Sequence, residues 1–394
     1  MSSAFPKVFQ KNLSPKTVLI IFVVLGVIFT AVFYSILQNS NTRHETTIEK
    51  LSKQLQEAKK ALDELKNVDQ IKRNDALEEE IVNIQKTYDK TVITYESLLD
   101  LKTKTKDTAS LDKLLSEALS LLSKRNYSSA AANLKELDGK IAAENAKITS
   151  QFSIPANVKE SNNAPASGYS RQKVNSDVGE FLVDIISGDL SSTRVIIDTA
   201  SDSTCANNCP VMALSDYAAR SGAYAGVNGS YFCPESYPSC AGKTNSFDTL
   251  AMNKNKVYFN SDNNVYSSVP VAVFGSGFAR FIGQSSGWGR DTGVDGVIAN
   301  QPLILSGGNV TFGGDGDPKK GSRGARSFVG ANGSKIYIGV VHNATVAEVG
   351  HVLKTLGLTD ALNLDSGGST ALWSGGYKVG PGRNIPNAVL FQRR

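Results

Sequence analysis

Near the C-terminal end, the run Asn363-Leu364-Asp365-Ser366-Gly367-Gly368-Ser369-Thr370-Ala371-Leu372 sets one carboxylate after an apolar approach and two glycines just beyond it. Glycine takes positive φ freely and lets backbone come close to a ligand. The N–H groups of Gly367 and Gly368 can therefore form a concave nest for an anion, with Asp365, the only charged residue of the run, at its rim. A β-bulge or a tight turn closed by an aspartate hydrogen bond would use the same residues without chemistry. The histidines add little. His44 lies in a charged helical stretch, His351 lies on a helix, and His342, at a strand end, is the one substrate-binding candidate. Gly316-Asp317-Pro318-Lys319-Lys320-Gly321-Ser322 has the ingredients of a phosphate loop but not the Gly-Lys-Ser order, and no strand leads into it. Asp315 and Asp317 lack the alternating oxygen ligands of a calcium site. No cofactor is expected, and a divalent cation such as calcium is the open alternative.

Four segments then occur in order: Val227-Asn228-Gly229-Ser230-Tyr231-Phe232, Gly324-Ala325-Arg326-Ser327-Phe328-Val329-Gly330, residues 359–372, and Gly382-Arg383-Asn384-Ile385-Pro386-Asn387-Ala388. Together they resemble the motifs of the phosphodiester glycosidase family over residues 171–394, with Ser366 standing where that family usually has glycine after the aspartate. The resemblance implies cleavage of the bond between a sugar and a phosphate. An ordinary glycosidase needs two carboxyl groups because the departing alkoxide must be protonated. A departing phosphate carries its charge well, so a phosphate cradle, a group facing the cationic carbon and a placed water suffice. On this resemblance Asp365 is the nucleophile or base. Arg326 and Arg383 are the phosphate cradle, because guanidinium meets phosphate as a bidentate fork. Asn228 and Asn363 fix sugar hydroxyls or orient the carboxylate, and Ser366, Gly367, Gly368 and Ser369 line the substrate.

These residues need elements to carry them. The chain has 394 residues and a net charge of +5, and charge density falls along it, which predicts more than one domain. Residues 1–16 carry three lysines and no acid, and residues 17–37 carry no charge, long enough for one membrane-spanning helix that acts as an uncleaved signal anchor. The lysines before it favour a cytoplasmic N-terminus and an extracytoplasmic C-terminal domain at the cell membrane. Ile48, Leu51, Leu55, Ala58, Leu62 and Leu65 then follow heptad spacing, and Leu77, Ile81, Ile84, Tyr88, Val92, Tyr95 and Leu99 restart the stripe. Residues 41–105 read as a coiled-coil stalk that makes a homo-oligomer and carries no catalysis. Residues 107–150 read as a helical hairpin capped by Asp107 or Thr108, and residues 151–170 as a flexible linker.

Residues 171–394 are rich in glycine and in short β-branched runs, at 181–186, 194–197, 269–274, 278–282, 297–305, 335–341 and 388–391. Residues 210–220 form one helix, and Thr345-Val346-Ala347-Glu348 is a capping box opening another that stops at Gly357. An α+β domain with a mostly antiparallel or mixed sheet is expected. Cys205, Cys209, Cys233 and Cys240 suggest an oxidising compartment. Their spacing permits two local disulfides, 205 with 209 and 233 with 240, among three pairings, and zinc held by four thiolates is the rival. The net charge is not gathered into an arginine-rich stripe, which argues against nucleic acid. The expectation is a hydrolase of sugar-1-phosphodiesters in envelope or exported glycopolymers, an exopolysaccharide for example. A non-catalytic glycan-binding module or a structural scaffold on the same stalk is the alternative.

Overall fold

A computed structural model describes residues 15–66, 68–262, 267–291 and 293–394, so most of the basic N-terminal tail lies outside the described residues. The chain falls into two units, residues 1–84 and 85–394. In the first, helix α1 (Pro15–Lys66) passes without a break from the apolar run into charged sequence and is long and apolar enough to cross a membrane. Beyond the apolar run, Ile48, Leu51, Leu55, Leu62 and Leu65 remain exposed in the single chain.

Helix α2 (Asp69–Lys102) begins in the first unit and ends in the second. There Leu98 and Leu101 pack with Leu111 and Leu115 of α3 (Ala109–Ser123) and with Leu137 and Ile141 of α4 (Tyr127–Gln151). The buried residues of α2 are Thr87, Thr91, Thr94, Glu96, Leu98 and Leu101, and of the predicted Tyr88, Val92, Tyr95 and Leu99 stripe only Tyr95 packs against this cluster. Asp138 of α4 explains the burial of Thr94, since it accepts from the Thr94 hydroxyl at 2.7 Å and pairs with Lys90. A buried threonine is tolerated where its hydroxyl finds a partner. Thr108 precedes α3 without a side-chain cap, and Asn126 caps α4 by accepting from the Ser129 amide at 3.2 Å.

Three sheets follow. The largest runs, edge to edge, through Lys159–Glu160, Gly168–Ser176, Gly179–Asp189, Lys335–Ala344, Gly324–Asn332, Asp360–Ser366, Leu303–Ser306 and Asn309–Val310, antiparallel except for the first pair. Part of the expected flexible linker is thus an edge of this sheet, tied further by Gln172, whose amide donates to the carbonyls of Ser161 at 2.8 Å and Asn163 at 3.0 Å. A second sheet holds Tyr377–Val379, Leu372–Trp373, Ala225–Asn228, Asn387–Arg393 and Thr193–Thr199, and a third holds the strands between residues 251 and 299. The predicted strand 297–305 divides between the third sheet and the first, at Asn300, Gln301 and Pro302. Proline lacks the N–H a ladder needs, so a strand is readily interrupted there. Ile197, Val227, Ile298, Ile338, Leu364 and Val389, drawn from all three sheets, share one buried cluster. The helix at the capping box, Val346–Thr355, makes both box hydrogen bonds, and Gly357 just beyond it takes φ +84°. Both disulfides are local, Cys205 with Cys209 and Cys233 with Cys240.

Candidate functional site

Asp365 sits one residue from the end of its strand. Arg326 pairs with Ser366 and Phe328 with Asn363, so two steps on one strand face three on the other and the ladder carries a β-bulge beside the aspartate. The bulge, which by itself needs no chemistry, is present, and the aspartate beside it lines the pocket. The main chain of Asp365 is held on both sides: its N–H donates to Gly229 O at 2.9 Å, and its carbonyl accepts from Asn228 Nδ2 at 2.6 Å. Asn228 is fully buried, and its Oδ1 accepts from the Ser327 hydroxyl at 2.7 Å and the Ala371 amide at 3.1 Å. It brackets three strands and the aspartate, and it does not line the pocket. Gly229 beside it leaves room for Asn387, which a Cβ at 229 would strike.

The carboxyl of Asp365 opens into a pocket of about 520 Å³. Burial pushes it up to about 6, opposed by hydrogen bonds from the Ser369 hydroxyl and the Ser366 amide and by the charge of Arg383. Ser366 is extended, with φ −140° and ψ −172°, a conformation open to any residue, and the positive φ of the turn falls on Gly367 at +64°. Gly368 is needed for a different reason: the Arg383 guanidinium lies where its Cβ would be. One glycine therefore supplies the turn and the other a close approach. Ser366, Gly367, Ser369 and Arg383 all line the pocket with Asp365.

Other predicted site residues have different places. Arg326 lines the pocket but is 7% exposed, and its guanidinium donates to the carbonyls of Ala344 at 3.1 Å, Lys319 at 2.8 Å and Ser322. Through Nε and Nη2 the guanidinium is spent on main-chain oxygens, two of them in the loop at 319–322, which it organises. Asn363 is fully buried and donates to Tyr231 Oη at 2.6 Å and to Gln301 O at 3.0 Å, so it does not line the pocket itself but holds two residues that do. His342 is hydrogen-bonded through Nε2 to the buried Asp184 at 2.7 Å and is not part of the pocket. The Asp184 carboxylate, itself out of water, holds the ring at the strand instead.

Sequence reasoning missed one wall of the site. Asp100, Thr103 and Lys104, at the end of α2 and just beyond it, line the pocket. The disulfide loop at 233–240 meets them: the Tyr237 hydroxyl donates to Asp100, and the Ser239 amide donates to Glu96 at 3.0 Å. Tyr237 in turn lies under two cations, Lys319 at 5.0 Å and Arg383 at 5.4 Å from its ring centroid. Most other cations of the lining are already engaged. Lys320 pairs with Asp315 and Asp317, Arg323 with Glu348, and Lys104 donates to Asn145 at 2.7 Å. Among the described residues, no carboxylate lies within ion-pair distance of Lys319 or Arg383. Nor do three His, Cys, Asp or Glu side chains gather among them as a metal site.

The phosphodiester glycosidase family model matches residues 221–392, which contain Asn228, Tyr237, Lys319, Arg326, Asp365 and Arg383. Among solved structures, the chain is similar to a hypothetical protein from Synechocystis at 14% identity and TM-score 0.41, over 57% of this chain and 62% of that one. It thus spans less than two thirds of the length of that protein. It is also similar to the catalytic domain of zebrafish N-acetylglucosamine-1-phosphodiester alpha-N-acetylglucosaminidase auto-inhibited by its pro-peptide, at 16% identity and TM-score 0.46, over 60% of this chain and 87% of that one. No curated protein matches the chain.

Proposed function

We propose, with the phosphodiester glycosidase match over residues 221–392 as the premise, that the chain hydrolyses the glycosidic bond of sugar-1-phosphodiesters in envelope or exported glycopolymers. Helix α1 anchors it in the membrane, with the N-terminus cytoplasmic and the disulfide-bearing domain outside. One observation carries the reading. A carboxylate that burial pushes up to about 6 lies in the same pocket as Lys319 and Arg383, two cations set over one tyrosine ring with no carboxylate among the described residues within ion-pair distance. A phosphodiester offers the complementary pair, an electron-poor anomeric carbon beside an anion.

In the reaction the bond from the anomeric carbon to the phosphate oxygen breaks, and its electron pair leaves with the phosphate. Water supplies the new bond to carbon. Ionised Asp365 faces the developing positive charge or takes the proton of that water, a contribution larger in the transition state than in the ground state. Arg383 meets the phosphate, whereas Asn228 and Arg326 act one step back, by holding the aspartate's main chain and the loop at 319–322. The test is an assay of the purified full-length protein in detergent against a panel of sugar-1-phosphodiesters. Release of free sugar and phosphomonoester is expected. Binding of these ligands with no release from any of them would replace this reading by the glycan-binding module.

A further inference from the structure

The cations that the fold leaves unmatched are not the two arginines that motif order suggests. Arg326 is committed to carbonyls, whereas Lys319 and Arg383, far apart in sequence, converge on one aromatic ring. That ring belongs to Tyr237, in a loop closed by the Cys233–Cys240 disulfide. Two cations brought to one ring repel each other, and the ring's negative face offsets part of that cost. A bound anion in contact with both would offset the remainder. The position of the ring is itself set from outside the matched domain, because the Tyr237 hydroxyl is held by Asp100 near the end of α2, 137 residues away in the chain. Glu96, one turn earlier, holds the same loop through the Ser239 amide.

We propose that Lys319 and Arg383, presented on Tyr237, form the phosphate-binding site of this pocket, and that Asp100 of α2 is a positioning residue acting through the Tyr237 hydroxyl. The proposal rests on the reading of the pocket as a phosphodiester site. It adds that the helical segment before the matched domain completes that site. Lys320 next door is a different case, because its ammonium is already matched by Asp315 and Asp317.

The experiment is calorimetric titration of inorganic phosphate into the full-length protein in detergent, run beside the turnover assay. Saturable binding is expected, weakened on the order of tenfold by Lys319→Met and less than about twofold by Lys320→Met, since a charge-assisted contact is lost only in the first. Asp100→Ala and Tyr237→Phe should each weaken phosphate binding severalfold, and their combination no further than either alone, as for two residues acting through one link. Asp100→Asn, which still accepts the tyrosine hydroxyl, should restore most of the affinity. Absence of saturable phosphate binding, equal losses at Lys319 and Lys320, or additive losses at Asp100 and Tyr237 would each overturn the proposal. A Lys319-dependent phosphate site in a protein that cleaves no diester would leave this inference standing and remove the hydrolase reading instead.

Discussion

Burial that pushes Asp365 up to about 6 acts on activity and on stability in opposite directions. The ordinary value is 3.8, so between about pH 4 and pH 6 the folded protein holds a proton that the unfolded chain has already released. Stability contributed by this group is fully present below that window, falls as pH rises through it, and is flat above. Turnover that needs the carboxylate rises through the same window and levels off beyond it. Asp365→Asn should lower turnover by about 10²–10⁴-fold, the usual weight of a positioned acid or base, while ligand affinity stays near that of the wild type. Its melting temperature should also lose this share of the decline between pH 4 and 6. Scanning calorimetry beside the assay checks both, and a variant with near-normal turnover contradicts the mechanism. Gly368→Ala tests the second glycine. Its φ is outside the left-handed region, so the fold should survive by circular dichroism, while the displaced Arg383 guanidinium weakens phosphodiester affinity roughly threefold to tenfold.

At the scale of elements, the loop at 319–322 depends on Arg326. Arg326→Lys keeps a charge but loses the planar fork that reaches three carbonyls, and a buried acceptor left unpaired costs about 1–3 kcal/mol. A lower denaturant midpoint and a higher KM are expected together, whereas a cradle residue of the kind the motif suggested would weaken affinity and rate with the midpoint unchanged. Short-range signals were readable here. The capping box at Thr345 and Glu348, the stop at Gly357 and the local disulfides follow from neighbours in sequence, and all are in the fold. That Asp365, Gly367 and Arg383 would share one pocket was also legible, because backbone demands and charge leave a local trace, whereas Gly368, expected beside them, lies outside its lining. The wall supplied by Asp100 and Tyr237 leaves none. Its partners are far apart in the chain, and heptad spacing over α2 reads as a solvated stripe unless Asp138 of α4 is known to face Thr94. His342 failed for the same reason in reverse, since Asp184, which takes it up, is 158 residues away.

For the whole molecule, α1 joins an apolar run to a charged stretch whose apolar stripe is exposed from Ile48 to Leu65. A soluble fragment of residues 41–84 should be helical and should self-associate, because a seam that narrow cannot be buried by one helix. Sedimentation that shows only monomer at high micromolar concentration would remove the oligomer from the account. A weak association in such a test is still informative. The proposed anchoring of α1 would confine the chain to two dimensions, where neighbours meet at a far higher effective concentration than the same number of molecules in solution. Pairing along α1 would then tether two copies of the proposed hydrolase, and a glycopolymer that repeats its phosphodiester would meet two pockets on one assembly. Avidity of that kind grows with chain length and needs no new contact, so long polymers would be retained while short oligomers, and the products of cleavage, escape.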